Sequence, residues 1–283
     1  MKEKITIVVD SGTDITPELI GDLDIVSLPL RITIDNKSYI DRVDITSKEV
    51  FAALDTSKVM SSLPSGEDII GEFEKLKASG TTHIVAITIS SGLSGTNNVI
   101  RTLSEQIEGL TVHVVDTLNI SLGAGLLALE AGKWIKEGLS FDEVVRKVEA
   151  NRLNSTVFFT VGSLEYLQKG GRIGLVAGTV ANVLNIKPVI SCNEEGIYYT
   201  VTKIRGYGRA IHRMIDTAAE FAKTSDSYRV VIMNADTKED LNAIKEYAHS
   251  VLPNATSIEI QPISPALGIH TGPEALGIAI YRY

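Results

Sequence analysis

The chain has one cysteine, one tryptophan and no cluster of Lys or Arg. A single thiol, Cys192, excludes an intramolecular disulfide and a cysteine-rich zinc site. With 27 basic against 35 acidic residues the formal charge is −8. That balance disfavours nucleic acid or an anionic membrane surface as the main partner, because both are held chiefly by grouped cations. No apolar run approaches the roughly 20 residues that cross a bilayer, so no stable membrane insertion is expected. The start, Met1-Lys2-Glu3-Lys4, leads directly into a strand without the apolar core of a secretory signal, and a cytoplasmic location is the expectation. What is present is 44% apolar and 22% charged residues over 283 positions, the composition of a well-packed chain with room for one large or two ordinary domains.

The apolar pattern alternates strand and helix through the first half. Ile5–Val9, His83–Ile89 and Thr111–Val115 are β-branched runs, and amphipathic stretches near 47–55, 66–78, 97–108, 119–136 and 141–151 separate or follow them. This rhythm predicts a parallel sheet covered by helices, Rossmann-like in plan. Thr46 with Glu49, Ser65 with Asp68 and Ser140 with Glu143 each set a hydroxyl three residues before a carboxylate, as a helix-opening capping box does. Gly138 marks a helix stop. A hairpin through Asp35-Asn36-Lys37 is expected to join Leu28–Ile34 to Ser38–Ile40. After about residue 155 the pattern changes: strands at 156–161, 188–191, 197–203, 229–233, 257–263 and 276–281, a turn at Asn193–Gly196, and helices near 206–223 and 237–250 predict a mixed or antiparallel sheet. The expected architecture is therefore a two-domain α/β protein divided into residues 1–155 and 156–283, with its site in the cleft between the halves.

Ser90-Ser91-Gly92-Leu93-Ser94-Gly95-Thr96 lies between a strand and a helix. A helix start carries unpaired N–H groups and the positive end of the peptide dipole, so a small, hydroxyl-rich turn there suits a carboxylate or phosphate. The same stretch resembles the nucleophile elbow of an α/β hydrolase, with Ser94 as nucleophile and His270 as base, but Thr96 stands where that motif has its second glycine. Asp10 and Asp14, in the turn after the first strand, can hold magnesium or hydrogen-bond their own turn. Gly123-Ala124-Gly125 fits a dinucleotide fingerprint only superficially, and close helix packing explains it better. Lys169–Gly174 lacks the Gly-Lys-Ser/Thr ending of a phosphate loop and reads as a turn exposing Arg172. His270 falls between two strands in what reads as a loop bounded by Pro265 and Gly272-Pro273, whereas His83, His113, His212 and His249 fall on regular elements.

Five segments taken together carry a family resemblance: Asp10–Asp14, Ser61-Ser62-Leu63-Pro64-Ser65, Ser90–Thr96, Leu164–Gly174 and Gly268–Pro273. In this order and spacing, over nearly the whole chain, they resemble the DegV family. The resemblance implies a carrier that binds one long-chain fatty acid, has no cofactor and no turnover of its own, and serves as the lipid-presenting subunit of an ATP-dependent fatty acid kinase. Transferred by position, it places the carboxylate against Ser62 with neighbouring Ser61, against Ser94 and the Gly95 backbone, with His270 completing the polar end and Arg172 docking the kinase. The chain departs from the family pattern at Leu63, where Gln is frequent, and at Asn97, where an aromatic is frequent. The alternative from the residues alone is a serine esterase or acyl transferase using Ser94 and His270.

Overall fold

Residues 3–179 and 185–283 are described by the computed structural model; Met1 and Lys2 of the N-terminal segment read above lie outside them. The first half runs β1 (Ile5–Asp10), α1 (Pro17–Ile20), β2 (Ile25–Leu28), β3 (Arg31–Ile34), β4 (Lys37–Ile40), α2 (Ser47–Ala53), β5 (Val59–Ser62), α3 (Gly66–Ala78), β6 (His83–Thr88), α4 (Thr96–Ser104), β7 (Thr111–Asp116), α5 (Leu122–Lys136) and α6 (Phe141–Asn151). The second runs β8 (Ser155–Val161), α7 (Glu165–Lys169), β9 (Ile186–Cys192), β10 (Tyr198–Arg205), α8 (Tyr207–Ala222), β11 (Tyr228–Asn234), α9 (Leu241–Val251), β12 (Ala255–Pro262), α10 (Pro265–Thr271) and β13 (Ala275–Arg282).

The strands form the two sheets that the pattern predicts, and a third in which the expected hairpin gains an unpredicted strand. Strands β2-β1-β6-β7 make an all-parallel sheet. Strands β10-β9-β8-β13-β11-β12 make a mixed one, parallel only between β11 and β12. The third, β4-β3-β5, is a small antiparallel sheet. The expected strand 28–34 is in fact two strands in different sheets, because Pro29 lacks the N–H that would continue the ladder and the chain breaks there. The 35–37 turn is present, with Asp35 in the left-handed region, and all three capping boxes form.

Helix α5 lies between the two large sheets and is buried nearly all round. Its glycines serve packing, as expected: a Cβ at Gly125 would overlap the Thr13 carbonyl oxygen, and one at Gly132 would crowd Ile25 and Leu23. Leu126, Leu127 and Leu129 are fully buried there, each stabilising by about 1.5–3 kcal/mol. The apolar cluster around α5 continues from β1 and β6 into β8 and β13, so both large sheets share one core.

The Pro265–Gly272 stretch is a helix, α10, and not a loop. Its punctuation is that of a short helix: Ser264 caps the Leu267 N–H, Pro265 takes the first position where no N–H is needed, and Gly272, at φ 74°, ends it.

Candidate binding site

The hydroxyl-rich turn after β6 divides its side chains between two tasks. Ser90 is buried; its Oγ donates to the Gly196 carbonyl at 2.8 Å and accepts from the Gly92 N–H at 3.0 Å, tying the turn to the β9–β10 hairpin. Gly196 must be glycine, since it has φ 71° and a Cβ would overlap Ser90 Oγ. Ser94 accepts from the Thr96 N–H at 3.3 Å and shares a 2.8 Å hydrogen bond with the Thr96 hydroxyl, which leaves it at the head of α4 facing a cavity.

The opposite wall comes from β5 and α10. Ser61, on β5, pairs across the small sheet with Ile32, and Ser62 with Arg31. Ser61 Oγ lies 2.7 Å from His270 Nε2. The residue is half-buried, and desolvation first, then the positive charge of Arg172, brings its pKa down to about 4. It is therefore neutral at pH 7, and its buried Nδ1 has no hydrogen-bond partner among the described residues. That nitrogen lies against Gly170, where any Cβ would overlap it.

Helix α10 is held in place by two buried carboxylates from the first half. Asp14 accepts from the Ser264 N–H at 2.8 Å, the Ser121 hydroxyl at 2.5 Å and Arg42 at 2.9 Å. Asp41 accepts from the Ala266 N–H at 2.9 Å and the Ser11 hydroxyl at 2.6 Å, and burial pushes its pKa up to about 6. Asp10 accepts from the Gly12 and Ile89 N–H groups, both at 2.9 Å, and burial pushes it up to about 7. These carboxylates are occupied by protein donors, which is the structural reading of Asp10–Asp14. Among the described residues no group of three or more His, Cys, Asp or Glu is placed to hold a metal.

Ser61, Ser62, Ser94, Arg172 and His270 all line one narrow cavity of about 80 Å³. Ser121 and Thr271 also line it, but its remaining wall is mostly apolar and comes from both halves, with Leu63, Ile89 and Ile120 from the first and Phe159, Met233 and Leu267 from the second. Ser61, Arg172 and His270 also border a wider cleft of about 450 Å³. Arg172 is half-buried rather than freely exposed; its Nε donates to the Leu93 carbonyl at 3.2 Å and one Nη to the Gly170 carbonyl at 2.8 Å.

Comparison with known proteins follows the same arrangement across the whole chain. The model of the DegV family, described as uncharacterised proteins, matches residues 4–283. The chain belongs to the DegV family. A DegV domain-containing protein of Clostridium acetobutylicum is 39% identical over 99% of both chains. Among solved structures, a DegV-family protein from Thermus thermophilus, described as fatty acid binding, superposes with a TM-score of 0.91 at 27% identity over 99% of each chain. A stearic acid-binding protein from Eubacterium ventriosum gives 0.88 at 27% identity, over 99% of this chain and 98% of that one.

Leu63 and Asn97 have different surroundings. Leu63 lines the cavity, whereas Asn97 is buried elsewhere, its amide donating to the Thr88 hydroxyl at 2.9 Å. Gly95 caps α4 beside Leu63 and is not part of the cavity wall. The hydrolase arrangement is not assembled: Ser94 bonds to Thr96, and His270 bonds to Ser61 with no carboxylate behind it among the described residues. Asp41 and Ser121 escaped sequence reasoning, and Asp14 was singled out there for its own turn and not for α10, since nothing local marks an aspartate that will cap a helix more than 200 positions away.

Proposed function

We propose that this chain is a two-domain carrier, divided at residues 155 and 156, that binds one long-chain fatty acid and presents its carboxylate to an ATP-dependent kinase. One observation carries the reading: Ser61, Ser62, Ser94 and His270, brought from both halves of the chain, line one cavity whose wall is mostly apolar. A carboxylate taken from water is costly unless hydrogen-bonded, and hydroxyls are suitable partners. The tail supplies the affinity: about 0.8 kcal/mol per methylene gives roughly 12 kcal/mol for a tail of about 15 carbons, before ordering costs. Because the space is narrow, loading moves flexible side chains aside, Met233 foremost. The relatives described as fatty acid binding and stearic acid-binding support the ligand class.

In this reading the kinase supplies the nucleotide. A carboxylate oxygen attacks the γ-phosphorus of ATP, the bond from that phosphorus to the ADP oxygen breaks, and ADP leaves while acyl phosphate stays on the carrier. Arg172, at the mouth, is the docking residue that the family resemblance suggests. Native mass spectrometry of freshly purified protein tests the lipid: we expect a mass increment of one fatty acid, and protein that is repeatedly empty and ignores added palmitate overturns the proposal. Arg172→Ala is expected to keep the lipid and lose kinase-dependent phosphorylation.

A further inference from the structure

We propose that the wider cleft outside the Ser61–His270 pair is a subsite for the phosphoryl group of an acyl phosphate, with Lys58 and Lys169 as its cationic walls. The inference rests on the fatty acid reading above and extends it to the product.

The cleft adjoins the cavity through Ser61, Arg172 and His270, so a group attached to the bound carboxyl has a way out between these side chains. Phosphorylation changes what the two spaces must hold. The carboxylate becomes a neutral acyl carbonyl, still an acceptor for the serine hydroxyls, while about two negative charges move outward onto the phosphoryl oxygens. The cavity has no amine on its wall, but the cleft adds two, Lys58 and Lys169, to the shared Arg172. Both lysines are exposed, and an ammonium on a flexible stem acts as a movable point charge toward a phosphoryl group. Lys169 is paired at 2.6 Å with Glu165, and Asp55 lies 3.5 Å from the Tyr166 hydroxyl on the same face. With Glu165 and Asp55 nearby, the three cations still leave one positive charge in excess, which favours an anionic phosphoryl group as the occupant. At about 450 Å³ the cleft also leaves room for a nucleotide-bearing partner to reach the carboxyl. The glycine at 170 lets His270 sit against the edge of the cleft: any side chain there would run into the imidazole.

The test uses full-length protein, palmitate, and the β-ketophosphonate analogue of palmitoyl phosphate, in which a methylene replaces the bridging oxygen. Binding is read by native mass spectrometry and competition. We expect the wild type to take both ligands, and the double variant Lys58→Gln/Lys169→Gln to keep palmitate unchanged while binding the phosphonate roughly tenfold more weakly, as loss of a charge-assisted hydrogen bond implies. Unchanged phosphonate binding in a variant that retains palmitate overturns the subsite alone. A wild type that takes neither ligand overturns the fatty acid reading and the subsite with it. Inorganic phosphate, titrated into palmitate-loaded protein, is expected not to bind; lysine-dependent binding of the free anion would instead make the cleft a phosphate site unconnected to the lipid.

Discussion

Asp14 accepts a 2.8 Å hydrogen bond from the backbone N–H of Ser264, 250 positions further along the chain. Together with the Asp41–Ala266 bond it fixes the first turn of α10, and α10 carries His270. The first half thus determines where a second-half imidazole meets Ser61.

Replacing Asp41 by alanine leaves the Ala266 N–H and the Ser11 hydroxyl without their acceptor. Each orphaned buried group costs about 1–3 kcal/mol, so for the two a loss of roughly 2–6 kcal/mol is expected in urea unfolding. Asp41→Asn keeps an acceptor and cannot ionise. The carboxyl of Asp41 has its pKa raised by burial, so its stabilising contribution is complete below the ordinary carboxylate range and is lost as the pH rises through about 6. Relative to wild type, Asp41→Asn should therefore gain stability between pH 4 and 7; a difference that stays flat with pH would contradict this.

His270 behaves in the opposite sense. Its pKa is lowered from 6.5 to about 4, so the unfolded chain takes up the proton first and stability falls on acidification through that window. Compared with a His270→Asn variant, the wild type is expected to lose about 3 kcal/mol of relative stability between pH 7 and pH 4, measured by denaturant unfolding at several pH values.

Gly170→Ala puts a methyl group into His270 Nδ1. The imidazole must shift and weaken its 2.7 Å bond to Ser61, at a cost of about 1–3 kcal/mol typical of overpacking. Thermal melts should show that loss, and retained lipid in native spectra should fall with it. An unchanged melt would mean that α7 yields without cost.

Gly277 lines the apolar part of the cavity, and a Cβ there would stand 2.8 Å from the Met233 methyl. Gly277→Val is expected to shorten the space available to a tail. Lipids extracted from the variant should shift to shorter chains than those from wild type, and an identical profile would show that the tail does not pass this strand.

The regular elements were legible because their signals are local. Capping boxes at Thr46, Ser65 and Ser140 need only four residues, and β-branched runs such as Val230 and Val231 declare a buried strand without reference to partners. Where reading failed, two structures shared one signal. Pro265 and Gly272 bound a loop as readily as they open and close a seven-residue helix, and Val59–Ser62 is too short and too exposed to announce a strand.

From the amino-acid order alone come the α/β alternation, the change in pattern near residue 155, and the identity of the polar residues that recur in the family motifs, because spacing, capping and side-chain chemistry are written along the chain. Only the folded molecule decided that Ser61 and not Ser62 bonds to His270, that Arg172 is tethered at the boundary of two spaces, and that Asp14 and Asp41 anchor α10. Those pairings join residues separated by between 79 and 250 positions, and no local signal specifies them. They follow from packing two sheets around α5, which brings distant donors and acceptors together away from water, where each must find a partner.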